Sequence, residues 1–317
     1  MKKAADKQQV FDCFTFYKEL DMLEIRLNIL NDVVDKFILL EAPITYTSQK
    51  KPLFYELNKK RYKKFHKKII HVVVDNIPNV SNPWLVEHYL MAGASKGLKN
   101  AKPNDIILVS NLDEIPAPEK ILEWKDKPGK LKAFEQQFFH YYLNFACTNK
   151  NWVGTKMLLY KEFLTFPDAY VIRHSTNNFL IPDGGWHFSF MGGVDYILEK
   201  IATGTHQEYN NNNHNTKEKI MRAILGKKDI FGHGDKFDFV STSVLPSYIQ
   251  KNKKKYKAMF LDIKKMNKFN KQHIQFLEMK HHFRIAYRTI RSKIKTVGAY
   301  TKTKSRQKPT AGSIKVK

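Results

Sequence analysis

Three short segments bring together residue types that could do chemistry. The first is SNLDEIP (110–116), where the aliphatic run DIILVS ends abruptly in Asn111, Asp113 and Glu114, and Pro116 halts regular structure. Carboxylates at the end of a buried strand suit Mg²⁺ or Mn²⁺, because hard cations take oxygen ligands. Alone, the segment fits a metal-diphosphate site and an acidic cap on the next helix equally well. The second is PDGGWHFSFMGG (182–193). Its glycines allow close backbone approach, Trp186 offers a stacking face, His187 a metal-capable nitrogen, and Asp183 a carboxylate just upstream. It also reads as a glycine-flanked aromatic core strand. The third is HQEYN (206–210), in which His206 and Glu208 form the kind of pair usually found on a surface.

The elements that must hold these segments follow from hydrophobic periodicity. VFDCFTF (10–16), DKFILLEA (35–42), KIIHVVVD (68–75) and DIILVS (105–110) read as four buried strands. Helical patterns fall between them: Leu20, Leu23, Leu27 and Leu30 in the first connection, a polar stretch to about residue 64, and Trp84 to about residue 99. Buried strands alternating with helices predict an α/β fold with a doubly wound, mostly parallel sheet and flanking helices. Ligands then sit outside the carboxyl ends of the strands, which singles out 16–21, Glu41, Asp75 and 111–114. Beyond residue 117 the pattern is mixed, with strands expected at 131–145 and 154–160 and a helix at 194–203.

Composition narrows the classes. The 317 residues contain no run of 18 apolar residues, so no transmembrane helix is expected. The charged start MKKAADKQQ lacks the apolar stretch of a secretory signal, and the expected compartment is the cytoplasm. Two cysteines, Cys13 and Cys147, do not make a disulfide framework or a zinc site, and Cys13 reads as a small buried hydrophobe. The net charge of +25 is concentrated at one end: residues 251–317 hold 21 Lys/Arg against Asp262 and Glu278, so the other 250 residues carry only +6. This divides the chain into a domain at 1–262 and a basic helical and disordered appendage at 263–317. The appendage suits an anionic membrane surface, with a solvated extension as the plain alternative. It has no recognisable nucleic-acid-reading motif, so no specific nucleic acid is expected.

Taken in order, DCFTFYKELDMLEIRLN (12–28), VVDKFILLEA (33–42), KIIHVVVD, NDIILVSNLDEIP (104–116), GTKMLLYKE (154–162), GGWHFSFMGGVDYILEKI (184–201) and THQEYN (205–210) resemble glycosyltransferase family 17 over residues 10–235. The resemblance implies a GT-A-like fold and a UDP-sugar donor, UDP-N-acetylglucosamine in the best-known members. It implies transfer to a glycan acceptor hydroxyl with inversion, and a divalent metal, Mn²⁺ or Mg²⁺. It places the nucleotide near Phe14, Phe16, Glu19, Glu41, Asp75, Asn111 and Trp186, and the metal on Asp113 and Glu114, with His187 as a further ligand. Glu208 and Asp183 are the candidate bases, with Glu208 preferred. Two positions depart from the family pattern: Asn111 replaces the usual first Asp, and Met91 stands where an Arg often faces the diphosphate. They raise the alternative of a nucleotide-sugar-binding protein without catalysis. The overall charge raises a further alternative, a basic nucleic-acid-binding protein.

Overall fold

A computed structural model describes residues 7–262, and the expected basic appendage at 263–317 lies outside the described residues. Residues through Leu261 form one compact unit. Eleven strands join in a single sheet: β1 Val10–Thr15, β2 Lys36–Glu41, β3 Ile69–Val73, β4 Ile106–Asn111, β5 Glu114–Pro116, β6 Lys132–His140, β7 Phe145–Cys147, β8 Trp152–Leu159, β9 Phe179–Ile181, β10 Gly185–Ser189 and β11 Phe237–Phe239. The main path runs β11-β7-β6-β8-β4-β1-β2-β3. The four strands read from the amino-terminal sequence make the parallel part, β3-β2-β1-β4. Past β4 the sheet turns antiparallel through β8, β6 and β7, so it is mixed where a mostly parallel one was expected.

Alternation along β1 explains why both faces are covered. Phe11 and Cys13 point into a cluster with Ile38, Leu40, Ile107, Val109, Leu90 and Met91, under the helix Pro83–Ala92. Val10 and Phe14 point the other way, into a cluster with Leu23, Leu27, Leu30, Phe37, Leu39 and Leu108, under the helix Leu20–Leu30. A third apolar cluster packs β6 and β11 against the helices Val194–Thr203 and Lys217–Leu225 through Phe138, Phe145, Phe237, Ile197, Ile201 and Ile220. Cys13 is buried as read, and burial pushes its thiol well up. The single strand expected at 131–145 breaks after His140, because Tyr141 adopts a positive φ of 68° and turns the chain into β7.

The end of the described chain is part of the core. Tyr256 and Met259 are buried in the cluster that holds Val10, Phe14 and Leu23. Leu143 N–H donates to the Met259 carbonyl at 2.8 Å, and Leu261 N–H to Asn144 Oδ1 at 2.8 Å. Burial of a side chain such as Met259 contributes about 1.5–3 kcal/mol. A chain ending at Asp262 is expected to keep a cooperative melting transition, whereas one ending at Gln250 should lose several degrees or fail to fold. Equal melting temperatures for the two truncations, measured by calorimetry, would contradict this packing.

Candidate active-site cleft

The turn after β4 is built around a buried arginine. Arg26, on the helix Leu20–Leu30, is fully buried and pairs with Asp12 of β1 through Nε (2.9 Å) and Nη2 (2.6 Å). Nη2 also donates to Ser110 Oγ at 2.6 Å. Nη1 reaches the carbonyls of Asn111, Leu112 and Glu114 at 3.1, 3.0 and 2.8 Å. The guanidinium thus spends its fixed fork of donors on the backbone that presents Asp113. Glu114 folds back to close the same turn: Oε2 accepts from Asn111 N–H at 3.0 Å, while Oε1 accepts from Trp152 Nε1 at 2.8 Å and pairs with Arg173.

β10 delivers the histidine. It pairs antiparallel with β5, setting His187 opposite Glu114, and Phe188 N–H donates to the Asp113 carbonyl at 2.8 Å. Gly185 makes this approach possible, since a Cβ there would lie 2.3 Å from the Ile115 carbonyl oxygen, and its φ is +126°. His187 Nε2 consequently lies 3.7 Å from Asp113 Oδ1. Its ring stacks on Phe138, and its buried Nδ1 has no partner. Burial pushes His187 below its ordinary value against the pull of Asp113, which leaves a neutral imidazole able to ligate.

Lys200, on the helix Val194–Thr203, donates to Asp113 Oδ2 at 3.1 Å and lies 4.0 Å from Glu19. Burial alone would raise the Asp113 carboxyl, but Lys200 and then His187 outweigh it and hold it below its usual range. Burial likewise opposes the charge on Lys200, and Asp113 and Glu19 more than restore it.

These groups open onto a cleft of about 190 Å³ outside the carboxyl ends of β1 and β4, where the strand order switches direction. Thr15, Phe16, Tyr46, Val86 and Leu90 line it together with Asp113, Phe190, Lys200 and His206. Thr15 Oγ1 donates to Asn111 Oδ1 at 3.3 Å.

The expected site residues divide accordingly. Phe16, Glu19, Asn111 and Asp113 line the cleft, with His187 beside Asp113. Phe14 does not: it is core, beneath the Arg26 guanidinium at 4.6 Å. Glu41 is fully buried and accepts from Phe54 N–H, Tyr55 N–H and Lys51, with His71 Nε2 at 3.0 Å, so it caps the helix Phe54–Asn58. Glu114 is fully buried, with Oε2 engaged by Asn111 N–H and Oε1 by Trp152 and Arg173. Asp75 is exposed and outside the lining. Trp186, alternating with His187, faces away and donates Nε1–H to the Val244 carbonyl at 2.8 Å. Asp183 sits in the turn before β10, outside the cleft lining. Glu208 is exposed, bound to His206 Nδ1 at 2.6 Å, and outside the cleft lining. Met91 is buried in the core, and its helix turns Val86, Glu87 and Leu90 to the cleft instead.

Among the described residues, Asp229, His233 and Asp235 also sit close enough to hold a metal. Their carboxylates are already engaged: Asp235 pairs with Lys150 at 2.7 Å, and Asp229 accepts the N–H groups of Phe231 and His233.

With this geometry in hand, comparison with known proteins is decisive at the family level. The description "Glycosyltransferase family 17" matches residues 1–277. The chain belongs to glycosyltransferase family 17. The match runs past the 10–235 span carried by the motifs. Curated relatives include the β-1,4-mannosyl-glycoprotein 4-β-N-acetylglucosaminyltransferases of Rattus norvegicus and Homo sapiens, each 28% identical over 136 residues. The Mus musculus protein of the same name is 27% identical over 136 residues. These alignments cover 40% of this chain and 25% of each relative, so the chain matches about a quarter of their length.

In this family 17 chain, sequence reading overlooked Lys200, Glu87, Thr15, Tyr46 and Arg26. Arg26 had a signal: a lone Arg on the buried stripe of a helix, facing a lone Asp12 in an apolar strand. Replacing Arg26 with Met strands the Asp12 carboxylate in the core and should cost about 3–5 kcal/mol. Chemical denaturation of Arg26→Met, and of Arg26→Met with Asp12→Leu, checks it. The double variant should recover part of the loss, and a single-variant loss below about 1 kcal/mol would contradict the network.

Proposed function

We propose that this chain is a metal-dependent, inverting glycosyltransferase of the GT-A type. In this reading it moves N-acetylglucosamine from UDP-N-acetylglucosamine to a glycan hydroxyl. The observation that carries the proposal is the meeting of Asp113 and His187, 3.7 Å apart, beside Lys200 at the mouth of a switch-point cleft. Family membership supports sugar transfer, and the names of the relatives support N-acetylglucosamine as the sugar and a mannosyl glycan as the acceptor.

The donor set fits Mn²⁺ or Mg²⁺. One carboxylate and one neutral imidazole are few protein ligands, as is usual where diphosphate oxygens and water complete the shell. Asn111 Oδ1 stands close by as a neutral oxygen. When bound, the ion would supply positive charge to the leaving diphosphate. The remaining work falls to the chain. Lys200, partly buried and positively charged, is placed to turn from Asp113 to a phosphate oxygen, and Phe16, Tyr46, Val86 and Leu90 give the nucleoside an apolar wall. Glu19 fixes the first loop: its Oε2 accepts Lys18 N–H at 3.0 Å, and its Oε1 accepts from Tyr196 at 2.8 Å.

Calorimetry with UDP, with and without Mn²⁺, tests the site. UDP should bind with Mn²⁺ and much more weakly in excess chelator. Asp113→Ala should abolish the metal-dependent part. Asn111→Asp adds a charge beside the ion, partly offset by repulsion from Asp113, and should tighten Mn²⁺ on the order of tenfold, about 1.4 kcal/mol. Metal affinity untouched by both substitutions would show that this turn is only an acidic cap.

A further inference from the structure

Sugar transfer to a hydroxyl needs a group to take the acceptor proton, and assigning that group rests on the transferase reading of the cleft. Three carboxylates line the cleft among the described residues: Glu19, Glu87 and Asp113. Glu19 is spent, with one oxygen on Tyr196 and the other on the N–H groups of Tyr17 and Lys18. Asp113 is engaged by Lys200 at 3.1 Å and forms the proposed metal pair with His187 at 3.7 Å.

Glu87 differs in every respect. It sits on the cleft face of the helix Pro83–Ala92, is 7% exposed, and its buried Oε2 has no hydrogen-bond partner. A buried polar oxygen left unpaired costs stability, and on a residue that lines a ligand cleft it points to a donor group that arrives with the ligand. The groups acting on it come from every neighbouring element: Arg173 and Tyr170 from the helix Ala169–His174, Glu114 from β5, His206 from the segment after the helix Val194–Thr203, and Tyr46 from the loop after β2. Arg173 is the strongest of the charges acting on it, but is itself paired with Glu114. Burial, opposed by Arg173 and reinforced by Glu114, raises the Glu87 carboxyl to about 7. A base poised near the working pH combines a useful ionised fraction with real proton affinity.

Aromatic side chains stand near Glu87. Trp84, one turn earlier on the same helix, meets His206 edge-to-face at 4.7 Å, and His206 also lines the cleft. An aromatic surface next to a carboxylate suits a sugar ring, which offers an apolar face and hydroxyl donors together.

We propose that Glu87 is the catalytic base of the transfer. Its carboxylate takes the proton of the acceptor hydroxyl as that oxygen bonds to the anomeric carbon. The bond from that carbon to the diphosphate oxygen breaks, and its electron pair leaves with the nucleotide. The proton passes to solvent when the products depart. Glu87 thereby takes the role that sequence reading gave to Glu208 and Asp183, both of which lie outside the cleft lining.

The test uses the full chain with Mn²⁺ and a panel of UDP-sugars, reading UDP release against pH and UDP affinity by calorimetry. The parent rate should rise with pH through about 7 as Glu87 ionises. Glu87→Gln should keep UDP affinity within about threefold, lose on the order of 10²–10⁴ in kcat, and lose the acidic limb of the pH profile. Glu87→Asp should restore part of the rate and the limb. Turnover of Glu87→Gln close to the parent's, with the limb intact, overturns the assignment. So does a parallel loss of UDP affinity, which would make Glu87 a donor-binding residue. If Glu87→Gln does not fold, the limb of Glu87→Asp decides: shifted supports the base, unchanged overturns it. A parent that binds no UDP and releases none from any donor overturns the reading of the site, and this assignment with it.

Discussion

The site depends on the Arg26 guanidinium more than on any other group. It is buried without access to water, and its five N–H donors must all find acceptors inside the protein. Asp12 and Ser110 take one side, and the carbonyls of Asn111, Leu112 and Glu114 take the other. One cation therefore locks β1, β4 and the turn after β4 into a single arrangement. Losing either charge would leave its partner uncompensated in a low-dielectric core, a penalty large compared with the net stability of a domain. Asp113 inherits its position from that constraint. Through the β5–β10 pairing, His187 inherits it too.

Five carboxylates at and beneath the cleft then sort into two groups by how their oxygens are used. Asp12, Glu41 and Glu114 have spent theirs on Arg26, on a helix start with Lys51 and His71, and on Arg173, Trp152 and Asn111 N–H. They are structural. Asp113 and Glu87 face the cleft, one beside the Lys200 cation and the other shifted toward neutrality by burial. Two acids with opposed environments can carry two roles in one site. The mixed sheet supports this division, because the antiparallel half brings β10 and the helix Val194–Thr203 across to the parallel half's ligand-binding edge.

Much of this frame was legible in the residues. The four amino-terminal strands and their parallel order follow from unbroken apolar runs spaced by helical patterns, and Asp113 and His187 stand out because an acidic strand end and a Trp-His-Phe segment are unusual neighbours. What was lost was lost for definite reasons. Glu41 and Glu114 look like ligands in sequence because any carboxylate at a strand end does; only the neighbours that consume their oxygens reveal a structural role. Trp186 and His187 are adjacent in sequence but face opposite ways, and the register that decides which one meets Asp113 comes from pairing with β5. Lys200 lies inside an ordinary amphipathic helix, where charged residues usually meet solvent, whereas Glu87 is the lone carboxylate of a largely apolar helix, a signal that sequence reading passed over. Asp183 and Glu208 were attractive as carboxylates near a motif, yet nearness in sequence left both outside the cleft lining.

The central claim is that the Arg26-held turn presents Asp113 and His187 as one cation site for a nucleoside diphosphate. Anomalous diffraction at the manganese edge, from crystals grown with UDP and Mn²⁺, tests it most directly. The account predicts a single strong peak within bonding distance of Asp113 and His187 Nε2, with UDP phosphate oxygens on its open side and Lys200 Nζ moved off the Asp113 carboxylate. A peak at Asp229, His233 and Asp235 with none at Asp113, or UDP bound in the cleft without manganese, would contradict it.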